Sequence, residues 1–335
     1  MLQFIETENT NAAFHFSVEE FLMQRFPFES SIMLWQDEKC VMLGANQVAP
    51  QEVDMNCVER EGIKIVRRSS GGGTIFTDMG TILYTMIQPH KKDSQVNQIA
   101  EETIVSSVVE ILNKMGVPAV LEGRNDILAD GKKFSGIAQH VKHGMLCTHG
   151  SILYDTDLEL LSQVLNVDDD KIRSKAIRSV RSRVTNIKDY IGVSTQVFRE
   201  QLKQNLVHKF DAREYKLTDD ELQEIEKICR EKYENLSWTF GRSPAFSFSN
   251  SKRFPEGKVE VFLDVKKGAA QSVAIHGDFL GVIPIRALEE KLENLPFRYE
   301  DFNGALSGVE LQPFIGGISK EQLLSCIFEQ GAMEL

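Results

Sequence analysis

Three glycines in a row, Gly71 to Gly73, limit what the chain can build around them more than any other feature of the sequence. They stand in RRSSGGGTIFTD, residues 67–78. An apolar, strand-like run at 63–66 precedes the stretch, and two β-branched, apolar runs follow at 74–76 and 81–87. Glycine loses the most conformational freedom on folding, so a run of it marks backbone that must take φ > 0 or approach another group closely. Successive N–H groups in such a turn form a concave anion site. Arg67 and Arg68 add fixed charge suited to a carboxylate or phosphate. A tight hairpin with exposed arginines needs fewer glycines. The common nucleotide loops do not fit. A P-loop needs Gly-Lys-Ser/Thr opening a helix, and a dinucleotide fingerprint needs glycine where Phe76 stands.

A second constellation is GRNDILADGKKFSGIAQH, residues 123–140. Asn125 can hydrogen-bond a phosphate or sugar, and Asp126 can hold Mg²⁺. Lys133 comes just before Ser135 and Gly136, so its ammonium can sit in a pocket beside small neighbours. The same residues also suit a surface turn, and on their own they leave both readings open. His140, His143, Cys147 and His149 tempt a zinc reading, but the spacing H-x2-H-x3-C-x-H matches no common structural zinc pattern, so no zinc is expected. His149, ahead of Gly150 and a strand at 151–154, suits a local hydrogen bond, and Cys147 reads as a small buried residue.

Apolar spacing predicts a helix at 11–26 stopped by Pro27, and another at 97–115 ended by Gly116. Residues 31–43 read as two short strands joined by a polar turn at 37–39. Short strands are expected at 119–121, 126–128, 133–141 and 151–154, then a helix-rich stretch to about 233. Ser, Pro, Gly and aromatics crowd 234–257. The expected division is therefore a catalytic domain at 1–245, a linker at 246–257 and an accessory domain at 258–335. The accessory unit is expected to hold a hairpin (258–265 with 271–276) and two helices near 286–294 and 319–329.

The net charge of −11 disfavours non-specific nucleic-acid binding. The balance is uneven: Lys171, Arg173, Lys175, Arg178, Arg181, Arg183 and Lys188 fall within 171–188, which suits either an anionic ligand or a solvated face. No apolar run is long enough to span a bilayer, and no signal peptide is read at the N-terminus. Five scattered cysteines without a CxxC read as reduced thiols, so a cytoplasmic location is expected.

RRSSGGGTIFTDMGTILYT, GRNDILADGKKFSG, THGSILYDTDL and SKAIRSVRSRVTNI occur in this order and at this spacing. Together with SWTFGRSPAFSF and GKVEVFLDVKKG further on, they make the chain resemble the lipoate–protein ligase family over nearly its whole length. The resemblance implies an α+β catalytic domain of the biotin/lipoate ligase type, similar to class II synthetases, with a small α+β accessory domain that shifts during the cycle. It implies that lipoate and ATP form enzyme-bound lipoyl-AMP and pyrophosphate. A lysine of a lipoyl domain of a 2-oxoacid dehydrogenase E2 subunit, or of the glycine-cleavage H protein, then takes the lipoyl group. By resemblance the substrate and ATP sites draw on Arg68, Ser69, Ser70, Gly71, Gly72, Gly73, Thr74, Ile75, Phe76, Asn125, Ser135, Gly136, His149, Gly150, Ser151 and Arg181. Lys133 is the implied catalytic residue, contacting the carboxylate and the α-phosphate, and Asp126 the implied Mg²⁺ ligand. The basic 171–188 segment would fold over the adenylate, and Phe21 or its neighbours would wall the lipoyl tail. The family is usually monomeric, and no membrane or nucleic-acid partner is implied. Many members carry Ala where Thr74 stands and His where Thr77 stands. ATP-independent octanoyl or lipoyl transferases share the fold but use a cysteine thioester, and Cys147 sits at neither of their usual places.

Overall fold

The strands named here are numbered along the chain. In a computed structural model, which describes residues 2–25, 29–90, 104–123, 125–165, 183–240, 248–266 and 269–328, β1 (Gln3–Ile5), β2 (Ser31–Trp35), β6 (Thr81–Pro89), β7 (Ala119–Glu122), β8 (Asp126–Ala129), β9 (Lys132–Lys142), β10 (Met145–Leu153) and β11 (Arg213–Tyr215) form one eight-stranded sheet. Its order is β11-β1-β2-β6-β10-β9-β8-β7. All nine residues of β10 and the first seven of β6 are buried, because helices cover both faces of the sheet centre. Successive side chains alternate between two cores. Ile32, Leu34, Ile82 and Tyr84 join helices Ile104–Lys114 and Thr195–Phe210 on one face. Met33, Trp35, Leu83 and Ile87 join α1 (Ala12–Arg25) and the π-helical turn Cys229–Tyr233 on the other.

A second sheet of β3 (Cys40–Leu43), β4 (Lys64–Arg67) and β5 (Ile75–Thr77) places β3 centrally, parallel to β4 and antiparallel to β5. The glycine stretch therefore passes over the end of β3 rather than closing a hairpin. The two strands expected at 31–43 belong to different sheets. Of the polar turn expected between them, Glu38 and Lys39 are exposed, but Asp37 is buried, with Oδ1 2.7 Å from Nδ1 of the buried His15.

The helix expected at 11–26 is α1, and it is buried nearly all round, with His15, Ser17, Glu19 and Glu20 inside. Strand β10 starts at Met145, six residues before the expected 151, so His149 and Gly150 lie mid-strand between β6 and β9. Elements not anticipated here include β1, β11, which pairs parallel to it, the short helices Ala49–Glu52 and Met55–Glu61, and the π-helical turn at Cys229.

The C-terminal unit packs a sheet of β12 (Phe248–Phe254), β13 (Gly257–Lys266) and β14 (Ala269–Gly277) against helices. The stretch expected as linker at 246–257 is thus largely strand. Its Ser and Asn content hides the alternation, yet Asn250 is buried and donates to Cys326 O at 2.9 Å. Helices Arg286–Leu292 and Lys320–Phe328 fall where expected, and Tyr299–Ala305 and Gln312–Ile315 are additional. This unit docks on the N-terminal one. Gly277 N donates to Asn46 O at 3.0 Å, and Val141 N to Val282 O at 2.7 Å. Residues 97–103 of one expected helix and most of the basic segment, including Arg181, lie outside the described residues. All five cysteines are buried free thiols. No helix among the described residues is long and apolar enough to cross a membrane.

Candidate active site

Strands β8 and β9 slip register between Ile127 and Leu128: Ile127 faces Ser135, while Leu128 faces Lys133. The extra residue, Phe134, is fully buried. Such a bulge re-aims the side chains beside it. Lys133 emerges half-exposed, with Nζ 2.7 Å from Asp126 Oδ1. Asn125 Nδ2 donates to Ile137 O at 3.2 Å, which anchors the turn before β8. Lys133 also holds the end of the basic segment through its backbone: it bridges Val184, and Thr185 N donates to Lys133 O at 2.9 Å.

The two arginines before the glycine loop do not act as sequence suggests, and only Arg68 bonds to the loop. Arg67 is buried, 1% exposed, and spends its guanidinium on backbone carbonyls. NH1 donates to Gly44 O (2.8 Å) and Gln47 O (2.7 Å), and NH2 to Thr239 O (2.6 Å). It is a staple between segments, not a ligand charge. Arg68 donates to Met42 O (3.0 Å), Gly71 O (2.8 Å), Gly73 O (2.7 Å) and Ser70 Oγ (3.0 Å). Burial, then the neighbouring Arg67, pull its pKa down to about 10, so it stays charged at neutral pH. Gly72 needs to be glycine: its φ is +90°, and its N–H donates to Phe279 O of the C-terminal unit at 3.1 Å.

These elements line a pocket that is open to solvent at its mouth. Its lining includes Arg68, Gly72, Gly73, Thr74, Ile75, Asn125, Lys133, Gly136, His149, Gly150 and Ser151, so residues from three distant stretches of sequence converge. Other expected site residues lie elsewhere. Ser69 faces Lys232 and Tyr233; Ser70 sits behind the pocket on His149; Gly71 packs against Phe279 and Gly281. Phe76 and Ser135 are buried outside the lining. Phe21 belongs to the core, and the apolar wall comes instead from Phe16, Trp35, Met42, Leu83 and Ile137. Nothing in the sequence marks these as lining, because each also satisfies an ordinary core position. The two departures from the family pattern are both engaged: Thr74 donates to Gln47 Oε1, and Thr77 is buried.

His149 bonds Glu19 through Nδ1 and Ser70 through Nε2. Among the described residues, the donor atoms of Glu19, Cys147 and His149 lie within 4.8 Å of one another. His143 sits apart at the β9–β10 turn, with φ +53°. Cys147 is fully buried, and burial followed by the nearby Glu19 pushes its thiol well above the usual range, so it is no nucleophile in this state. Asp126 offers one half-exposed carboxylate, with one oxygen on Lys133. That fits a Mg²⁺ held mainly by phosphates and only partly by protein.

An apolar pocket bordered by a glycine loop and edged by a lysine can take an apolar chain that ends in an anion. Residues 11–211 match the family model described as the lipoyl protein ligase A/B catalytic domain, and residues 243–327 match that of the bacterial lipoate protein ligase C-terminus. The lipoate-protein ligase LplJ of Bacillus subtilis is 34% identical over 332 residues, covering 97% of this chain and 99% of its own. Among solved structures, a bipartite lipoate protein ligase described with its E2 lipoyl domain, from Thermoplasma acidophilum, superposes with a TM-score of 0.66 at 26% identity, covering 73% of this chain and 98% of that one. A lipoate-protein ligase A bound with ATP gives a TM-score of 0.63 at 26% identity, covering 71% and 98%. The chain belongs to the lipoate–protein ligase family and is an enzyme of that class.

Proposed function

We propose that the protein activates lipoate with ATP to lipoyl-AMP and then transfers the lipoyl group to a lysine of a lipoyl domain or of a glycine-cleavage H protein. The observation that carries this is the polarity of one pocket. Its buried walls are Phe16, Trp35, Met42, Leu83 and Ile137, and its half-exposed rim carries Lys133 and Asn125. A short acyl chain fits the first part, and a carboxylate meeting a phosphate fits the second.

In the first step a lipoate carboxylate oxygen attacks the α-phosphorus and pyrophosphate leaves. In the second the acceptor amine attacks the carbonyl and AMP leaves. Lys133 would neutralise charge on the phosphorus and then on the carbonyl, as a point cation that needs no reorganisation. Asn125 would bond a phosphate or sugar oxygen. Asp126 would hold Mg²⁺, which would supply positive charge to offset that of the phosphates. The basic segment that starts beyond the bridge at Val184 would cover the adenylate. The unit up to about residue 245 carries this chemistry, and the C-terminal unit is an accessory to it. The ATP-bound and E2-linked relatives support this reading, as does the lack of an activated thiol at Cys147. We place the enzyme, as a monomer, in the cytoplasm.

The test uses the intact protein, lipoate, MgATP and a purified E2 lipoyl domain. Mass spectrometry should show the acceptor gaining one lipoyl group only when ATP is present. Transfer from an octanoylated donor protein without ATP would instead favour an acyl transferase.

A further inference from the structure

A carboxylate that does not line the pocket stands behind three groups that do. Glu19 is 3% exposed, on α1. Two hydrogen-bond chains end on it, and its carboxylate, when ionised, can only accept. Arg68 Nε donates to Ser70 Oγ at 3.0 Å. Ser70 Oγ has room to accept a second bond, but among the described residues the acceptor within reach of its own proton is His149 Nε2, 2.7 Å away. Nε2 therefore accepts, and Nδ1 carries the proton toward Glu19 Oε1 (3.0 Å) and Oε2 (3.2 Å). In the second chain, Trp35 Nε1 donates to Thr85 Oγ1 at 3.0 Å, which donates to Glu19 Oε1 at 2.7 Å. Ser70, Thr85, Trp35 and His149 are all buried. No water is needed to complete either chain.

We propose that Glu19 is a positioning residue of the ligase site: it sets the direction of both chains, and through them the His149 tautomer, the Trp35 indole and the seat of Arg68 under the carbonyls of Gly71 and Gly73. The proposal rests on the reading that this pocket takes lipoate. Burial opposes ionisation of Glu19, and the contacts from His149 and Thr85 outweigh it, holding the carboxyl below its usual range. His140, whose ring centroid is 6.2 Å from that of His149, is driven down to about 3, by burial above all, so it adds no positive charge beside His149. Both short bonds fall on Oε1, where a glutamine oxygen could still accept them, so the informative change is to an apolar side chain of similar length. Methionine removes the acceptor from both chains and leaves Nδ1–H and the Thr85 hydroxyl without a partner on α1.

Two readouts on the intact protein decide this: the histidine side-chain ¹⁵N spectrum and lipoate affinity by calorimetry. The wild type should show His149 protonated at Nδ1. Glu19→Met should shift the Nδ1 resonance, as the bond to the carboxylate is lost, and weaken lipoate binding by roughly 10-fold or more, the order of a lost buried hydrogen bond. Glu19→Asp should keep the proton on Nδ1 and recover part of the affinity. A wild-type His149 protonated at Nε2 overturns the proposal without any variant, so the test does not depend on Glu19→Met folding. So does a folded Glu19→Met protein with unchanged affinity. A wild type that binds no lipoate contradicts the substrate reading instead, and the tautomer spectrum still decides the network.

Discussion

Lys133 Nζ lies 2.7 Å from Asp126 Oδ1, and both side chains are more than a third exposed. An ion pair this wet is worth at most about 1 kcal/mol. It can hold the lysine in place before substrate arrives and exchange cheaply for an anion afterwards. Asp126→Asn should leave lipoate capture intact or slightly tighter, because the lysine loses its resident counter-charge. The nucleotide step should slow by about 10–100-fold and need more Mg²⁺, as expected when a metal loses its carboxylate. Magnesium titrations of pyrophosphate release read both effects.

Arg67 should behave as a fold-holding residue. Its fork ties Gly44 and Gln47 to Thr239 through backbone carbonyls, and Trp238 Nε1 returns a bond to Arg67 O at 2.9 Å. Arg67→Lys keeps the charge but cannot span these acceptors. We expect a loss on the order of 3 kcal/mol for Arg67→Ala, and little rescue by lysine, measured by urea unfolding.

Much of the architecture was legible because apolar residues alternate or recur with the right period in β6, β9 and the helix at 104–114. The convergence of the glycine loop with Asn125, Lys133 and His149 was also legible, but through the ordered motifs rather than from spacing, since only long-range pairing brings them together. Three things were hidden. Arg67 reads as ligand charge, because sequence cannot show five carbonyls gathered from segments 20 to 172 residues away. β12 is masked by serines and an asparagine whose partner, Cys326 O, lies 76 residues on. Glu19 and Glu20 look like the solvent face of α1, yet they are buried because their donors come from other elements: Thr85 and His149 for the first, Lys142 and Lys232 for the second.

Gly150 is required by its neighbour across the sheet. A Cβ there would stand 2.4 Å from Tyr84 Cζ and Oη, inside a ring that is itself fully buried. Gly150→Ala should cost about 1–3 kcal/mol, the range for overpacking a filled core. The lipoate pocket should narrow with it, raising the KM for lipoate more than it lowers kcat. Thermal unfolding and steady-state kinetics check the two halves.

Glu20 gives the fold an acid limb. Burial favours its neutral form, but Lys232 and Lys142 outweigh that and bring its pKa to about 2, from an ordinary 4.5. A depressed folded-state value stabilises above the unfolded pKa, so the contribution is complete above about pH 4.5 and fades as pH falls toward 2. Its ceiling is on the order of 3 kcal/mol. The net pair is worth less, because for Lys232 burial outweighs Glu20 and pushes the ammonium down. Glu20→Gln should flatten the fall in stability between pH 5 and 2, seen in denaturant midpoints across that range.

The central claim is that Lys133 and the glycine loop form an acyl-adenylating site. The direct measurement incubates wild type and Lys133→Ala with lipoate and MgATP, without acceptor, and quantifies pyrophosphate and protein-bound lipoyl-AMP. The account predicts near-stoichiometric adenylate on the wild type and at least about a 100-fold slower appearance on the variant, the scale of removing one preorganised charge from a transition state. Equal rates in the two proteins, or no adenylate on the wild type while acyl groups still move without ATP, would contradict it.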